Sequence, residues 1–482
     1  MRDVSTLLVL FLLWPLTSNA TPASYRLHVP SVDASHVEVE ARFALNGDVI
    51  GMYVIDAPSL ENGSADLVEG LRVERADGTV MAVENLGVGD WKLKEGRAGD
   101  EVVVRYRVAL RHGEHVWGPG IDEVAYRTDD GLFFAGRALW IVPFDGLADG
   151  ATIEFDLPDP WRASTPWPEV DGRPTASLTT LISNCFFVGT HHEETVRFED
   201  FTFVFALGRD LAESTDLFAA TMRPVLPRAK ALFGGMPDQS RYLVVINRHG
   251  RADGGAYSQS YSLLVEGTVN EASSVVWGHG IVHELLHFWN GHTLKIAGTD
   301  EEWFKEGVTD YLTVLLRSRL GQDRPEVTLR KFENALRRVA LSRMMMGNTQ
   351  GLDTAGAQKQ QNRMLVYGGG LLTGLALDLE LRRATGDAHG LATLLQRLYV
   401  EFAREGRRYT TDDVQRVAGA VAGASMEWFF DKHVRGGVPV DFRPVFTALG
   451  LQLDTFADEF YLSPAPAPSP EVVRTRRSIL GW

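Results

Sequence analysis

The chain has 482 residues, 45% of them hydrophobic and 23% charged, which are values of a globular protein and exclude wholesale disorder. One core does not serve this length, because single hydrophobic cores stop growing near roughly 250–300 residues. The formal net charge of −15 argues against a nucleic-acid partner, which calls for a basic surface.

Residues 1–20 read as a secretory signal peptide. Arg2 supplies positive charge, Leu7 to Leu16 is an apolar run, and Ser18-Asn19-Ala20 is a small-residue cleavage site. The run is about half the ~20 residues a membrane span needs. The expected mature protein is therefore exported, periplasmic or extracellular, with no integral membrane span once the signal is removed. Its oligomeric state is not legible.

Residues 21–208 predict a β-sandwich domain. Stretches such as "HVEVEARFAL" and "EVVVRYRVAL" alternate apolar and polar residues, and turn signals such as Asn46-Gly47-Asp48 separate them. Cys185, the single cysteine, lies in the apolar run "ISNCFF" and is expected as a buried structural thiol. His191 and His192 are adjacent, so on a strand they point to opposite faces; solvated positions are expected for them, not a metal pair.

From residue 209 the texture becomes helical, and 209–440 is expected to form a second domain. Helices are predicted over about 272–289, 301–319, 325–344, 361–385, 389–404, 411–422 and 425–434. Thr410, Thr411 or Asp412 suits the start of one of them, and Gly386 suits the end of another. Residues 441–482 are read as an extension, with "SPAPAPSP" as a polyproline-type linker and a solvated, disordered tail after it. The predicted fold class is α+β multidomain, a β-sandwich followed by a mostly helical domain.

The chemistry concentrates at "WGHGIVHELLHFWNGH", Trp277 to His292, which holds four of the 13 histidines. His283-Glu284-Leu285-Leu286-His287 matches H-E-x-x-H. Residues four apart share one helix face, so both imidazoles can bind one Zn²⁺ ion. Glu284 lies between them and can serve as general base toward a water polarised by the metal. Eighteen residues separate His287 from Glu306, in "EEWFKEGVTDYL", and Glu306 is the natural third ligand on a second helix. Two histidines and a glutamate leave one position open, the pattern of catalytic zinc. Asp310, one turn past Glu306, suits the N–H of a ligand imidazole or a solvated helix charge. His279 is one turn before His283, where a capping or solvated role is expected. His292 falls in the following loop.

These motifs resemble the gluzincin metallopeptidases related to aminopeptidase N. "HFWNG" and "EGVTDYL" are still more similar to the glycyl aminopeptidase family. The resemblance implies an N-terminal β-sandwich, a thermolysin-like zinc peptidase domain over 209–440, and usually a PDZ domain, for which too few residues follow 441. It also implies that Tyr367, in "MLVYGGGLL", helps stabilise a tetrahedral oxyanion. The alternative is a tyrosine packed at a helix start. Gly368-Gly369-Gly370 reads as close helix packing and not as a phosphate loop. Relatives carry a loop glutamate that holds the substrate's free amino terminus. The matching stretch here is "GGAYSQS", so Gly254, Gly255, Ala256 and Tyr257 are the candidate substrate-binding residues. Tyr257 stands at the glutamate position, unless Asp253 or Glu266 substitutes.

The function so predicted is an exported zinc metallopeptidase acting on peptides or proteins. Exopeptidase and endopeptidase action both stay open. The alternative is a catalytically vestigial peptide-binding protein on the same scaffold.

Overall fold

The computed structural model describes residues 23–143, 150–457 and 459–482; the expected signal peptide lies outside them. The N-terminal region is built from strands, as the alternation predicts. His36–Ala44 buries every second residue and pairs antiparallel with Glu101–Ala109 along its whole length. These strands belong to an eight-stranded sheet, and two four-stranded sheets share its core. In that core Trp140 meets the Tyr25 ring edge-on at 5.4 Å and stacks on Phe186 at 5.8 Å between ring centroids. Cys185 is buried beside them.

A five-stranded sheet follows, in the spatial order His192–Phe198, Phe201–Leu207, Arg241–Arg248, Ser260–Val265 and Asp253–Ala256. It separates two cores. Phe203, Phe205 and Leu207 point into a helical core, while Val204 and Ala206 pack into the N-terminal one. The period-2 geometry of a strand makes this two-sided use obligatory. Asp253–Ala256 is an edge strand, paired on one side only. His191 is a correction to the sequence reading. It is buried, with Nε2 2.6 Å from the Ser164 hydroxyl, because the strand start tucks under the N-terminal domain.

Helices dominate the rest, close to their predicted ranges. Thr410 caps Thr411–Ala422 with a capping box to Asp413, and Gly386 ends Gly370–Thr385 in the left-handed conformation. The continuous helical stretch Met364–Thr385 is apolar and long enough to cross a membrane, yet most of it is buried in the helical core. The C-terminal segment is a second correction. Leu451–Phe456 and Glu459–Pro464 form a hairpin, and Pro470–Leu480 is a helix and not a disordered tail. Ser469 caps that helix, Pro470 occupies its first turn, and Ile479 and Leu480 are fully buried.

Candidate metal centre

Ser274–His287 is a helix whose Ile281, Val282, Leu285 and Leu286 are buried in the helical core. The same turns bring His283 and His287, also buried, to one point. Their Nε2 atoms are 3.0 Å apart. Glu306 Oε2 lies 3.2 Å from the His287 atom and 3.5 Å from the His283 atom. Three ligands around a tetrahedral ion at ~2.1 Å sit about 3.4 Å from one another. The cluster therefore fits Zn²⁺ both by spacing and by donor type.

The protonation pattern points the same way. His287 Nδ1 is 3.0 Å from the Asn290 carbonyl oxygen, which can only accept, so Nδ1 carries the proton and Nε2 keeps its lone pair. His283 Nδ1 lies 2.8 Å from Asp310 Oδ1 in an ion-pair contact. Asp310 also takes His279 Nε2 at 3.1 Å. His279 is thus a partner of Asp310, neither a solvated residue nor a cap. Burial lowers its pKa to about 4 although Asp310 opposes this, which favours the neutral imidazole.

Asn290 was not singled out by sequence, although it stands in the quoted "HFWNG" element. It is fully buried, and its Nδ2 donates to the Phe304 carbonyl at 3.0 Å and to the Thr309 hydroxyl at 3.1 Å. One residue thereby sets the His287 ring and clamps the histidine helix to the glutamate helix.

Glu306 lies in a π-helical turn, Trp303–Val308, that runs on into Thr309–Arg319. Such wide turns recur at functional sites because they rephase side chains. The tyrosine segment, Met364–Gly369, is π-helical too. The two segments cross at Gly307 and Gly370. A Cβ on Gly307 would lie 2.4 Å from the Gly370 Cα, so glycine is what permits the approach. That crossing brings Tyr367 to the centre, its ring 6.1 Å from the His283 ring. Burial, then the Glu306 and Glu284 carboxylates, push the Tyr367 pKa well above its usual value, so the phenol remains a donor.

Two lysines complete the surroundings. Lys359 Nζ is 3.0 Å and Lys305 Nζ 3.2 Å from Glu306 Oε1, leaving Oε2 for the metal side. Both also approach Glu302, at 3.2 and 3.7 Å. Lys359 had no sequence signal, since it comes from a loop fifty-three positions away.

The loop read as substrate-binding is divided. Gly254, Gly255 and Ala256 form the edge strand, packed near the histidine helix. Tyr257 does not face the cleft. Its ring is buried in the N-terminal core, and its hydroxyl donates to the Asp122 carbonyl at 2.6 Å.

Comparison with known proteins gives a consistent picture. Residues 60–185 match the Peptidase M61 N-terminal domain. No curated protein matches the chain in sequence. An aminopeptidase N family protein from Idiomarina loihiensis superposes with a TM-score of 0.75 at 18% identity, covering 90% of this chain and 79% of its own. The M1 zinc metallopeptidase of Deinococcus radiodurans gives 0.58 at 16% identity, covering 87% and 94%. A variant of that enzyme bound to a Tyr-Ser-Ala substrate gives 0.54 at the same identity and coverage. The chain thus shares its mixed α/β, multidomain fold with these proteins and resembles the zinc metallopeptidases related to aminopeptidase N.

Proposed function

We propose that the protein is an exported zinc metallopeptidase of the gluzincin type, with residues 209–440 as a thermolysin-like catalytic domain. The observation that carries this reading is the convergence of His283 Nε2, His287 Nε2 and Glu306 Oε2, with His287 Nδ1 hydrogen-bonded to the Asn290 carbonyl and His283 Nδ1 2.8 Å from Asp310 Oδ1. A single Zn²⁺ held there would polarise a peptide carbonyl and acidify water. Glu284, half-buried beside His283, takes the proton from the attacking water and returns it to the leaving amine. The Tyr367 hydroxyl donates to the carbonyl oxygen as negative charge develops there. The unpaired side of Asp253–Ala256 can pair with an extended peptide as an added strand.

The buried Tyr257 favours one competing reading, a peptide-binding protein without turnover, because the loop glutamate of the relatives is absent. A single experiment separates the two. The zinc-loaded protein should cleave a mixed peptide library, chelator should stop it, and Glu284→Gln should keep zinc while losing at least about 10²-fold in rate, the scale of a general base. A Glu284→Gln variant as active as the parent would remove Glu284 from the mechanism. A zinc-loaded parent that binds peptides but never cleaves them would establish the competing reading.

A further inference from the structure

The helix Ser274–His287 carries a third histidine toward the metal ligands. His279 stands four residues before His283, so the two imidazoles share one face, with ring centroids 6.3 Å apart. One carboxylate oxygen serves both rings. Asp310 Oδ1 is 3.1 Å from His279 Nε2 and 2.8 Å from His283 Nδ1. A carboxylate oxygen can only accept, so His279 Nε2 carries the proton and donates it to Asp310. His279 Nδ1 is buried and has no partner among the described residues. The bond to Asp310 is therefore the contact that gives this ring its direction.

Holding the histidine helix to the helix of Asp310 does not depend on this bond, because other residues do so at both ends. At one end Asn290 Nδ2 donates to the Phe304 carbonyl and the Thr309 hydroxyl. At the other, Arg317 Nη2 donates to the Ser274 carbonyl at 3.1 Å, and Asp323 Oδ1, 2.7 Å away, balances its charge. A Cβ on Gly278 would lie 2.5 Å from Arg317 Nη1, so glycine lets that guanidinium reach the histidine helix. His279 lies in the chain between these two clamps and gives its hydrogen bond to Asp310 instead.

What the bond does govern is the carboxylate. With the His283 contact alone, Asp310 could turn about its side-chain bonds and still keep one oxygen near the ring. A second donor on the same oxygen fixes Oδ1 against the Nδ1 side of His283. The opposite nitrogen of that ring, Nε2, faces His287 Nε2 and Glu306 Oε2. The ring is rigid, so whatever sets Nδ1 also sets the direction of the Nε2 lone pair. Partners behind a ligand histidine are worth about 10–100-fold in metal affinity.

We propose that His279 is a positioning residue of the metal centre, which acts through Asp310 to aim the His283 ring. The inference rests on the zinc site of the proposed function, and metal binding tests it without turnover. In chelator competition His279→Phe, which keeps a ring but no donor, should bind zinc about ten-fold more weakly than the parent, the low end for an outer partner. The visible bands of the cobalt-substituted variant should shift as well, since they read the geometry around the ion. His279→Gln, whose amide N–H can reach the same oxygen, should restore both. In an Asp310→Asn background His279→Phe should weaken zinc no further, because the two residues act as one unit. His279→Leu, also without a donor, carries the same test should the phenylalanine variant not fold. Zinc affinity and cobalt bands unchanged in His279→Phe would overturn the inference. So would a glutamine variant as weak as the phenylalanine one, or an equal loss with and without Asp310. Two zinc ions per chain, the second lost in His279→Phe, would make His279 a ligand and overturn it too. A parent that binds no zinc at all would instead remove the zinc reading on which the inference stands.

Discussion

Asp122 couples the stability of the fold to pH. Its carboxyl is raised from 3.8 to about 7 in the folded protein, by burial first and by Asp253 second. The protonated form is therefore favoured by folding. The associated stability is complete below about pH 4 and falls as pH rises through 7, by roughly 4 kcal/mol for a shift of this size. Asp122→Asn removes the titration, so the variant should overtake the parent in urea midpoint between pH 4.5 and 7.5. Parallel pH profiles for the two proteins would show that Asp122 does not titrate as the burial argument requires. The same residue shows where sequence reading stops. His283, Glu284, His287 and Glu306 are legible because helix periodicity and an eighteen-residue spacing are local facts. Asp122 meets Tyr257 from more than a hundred and thirty positions away, and Lys359 reaches Glu306 from an unremarkable polar loop. No local pattern marks either one. Tyr257 failed in the opposite sense. It directly follows the edge strand, but tertiary packing turns the ring into the N-terminal core.

Elements were easier to read than their ends. The helices after residue 270 lie within a few residues of expectation, because their apolar period and caps are strong signals. The π-helical turns at Trp303–Val308 and Met364–Gly369 were not legible, since they arise from contact between segments at Gly307 and Gly370. The C-terminal helix was misread because its charged residues look like a solvated tail. Its hold on the protein is at the far end. Ile479 and Leu480 are buried, Ser318 donates to the Leu480 carbonyl at 2.7 Å, and Arg319 donates to the Ile479 carbonyl at 2.7 Å. Those partners sit on Thr309–Arg319, the helix that carries Asp310. Deleting residues 470–482 should therefore cost about 3–6 kcal/mol, from two buried aliphatic side chains at ~1.5–3 kcal/mol each. A denaturation midpoint unchanged by the deletion would mean that the helix is only an ornament on that surface.

At the scale of the whole molecule, the five-stranded sheet couples the two cores. Phe201–Leu207 and Arg241–Arg248 each give alternate residues to the N-terminal core and to the helical core, so neither core can lose the sheet without exposing the other. Separation of the two cores would expose Val204, Ala206, Leu243 and Val245 together. The metal cluster lies on the helical side, yet its energy should be shared through this sheet. An ion that binds the folded state alone stabilises it by about 2.7 kcal/mol at a free concentration of 100 Kd. For a protein larger than 150–250 residues that corresponds to no more than about 5–10 °C in Tm. Zinc added to chelator-treated protein should accordingly raise the melting of both cores in one transition. Glu306→Ala should abolish the rise by removing a ligand, and Glu284→Gln should preserve it, since Glu284 is assigned to proton transfer and not to the metal. Two transitions with only one responding to zinc would show that the sheet does not bind the cores together. A rise that persists in Glu306→Ala would place the ion elsewhere.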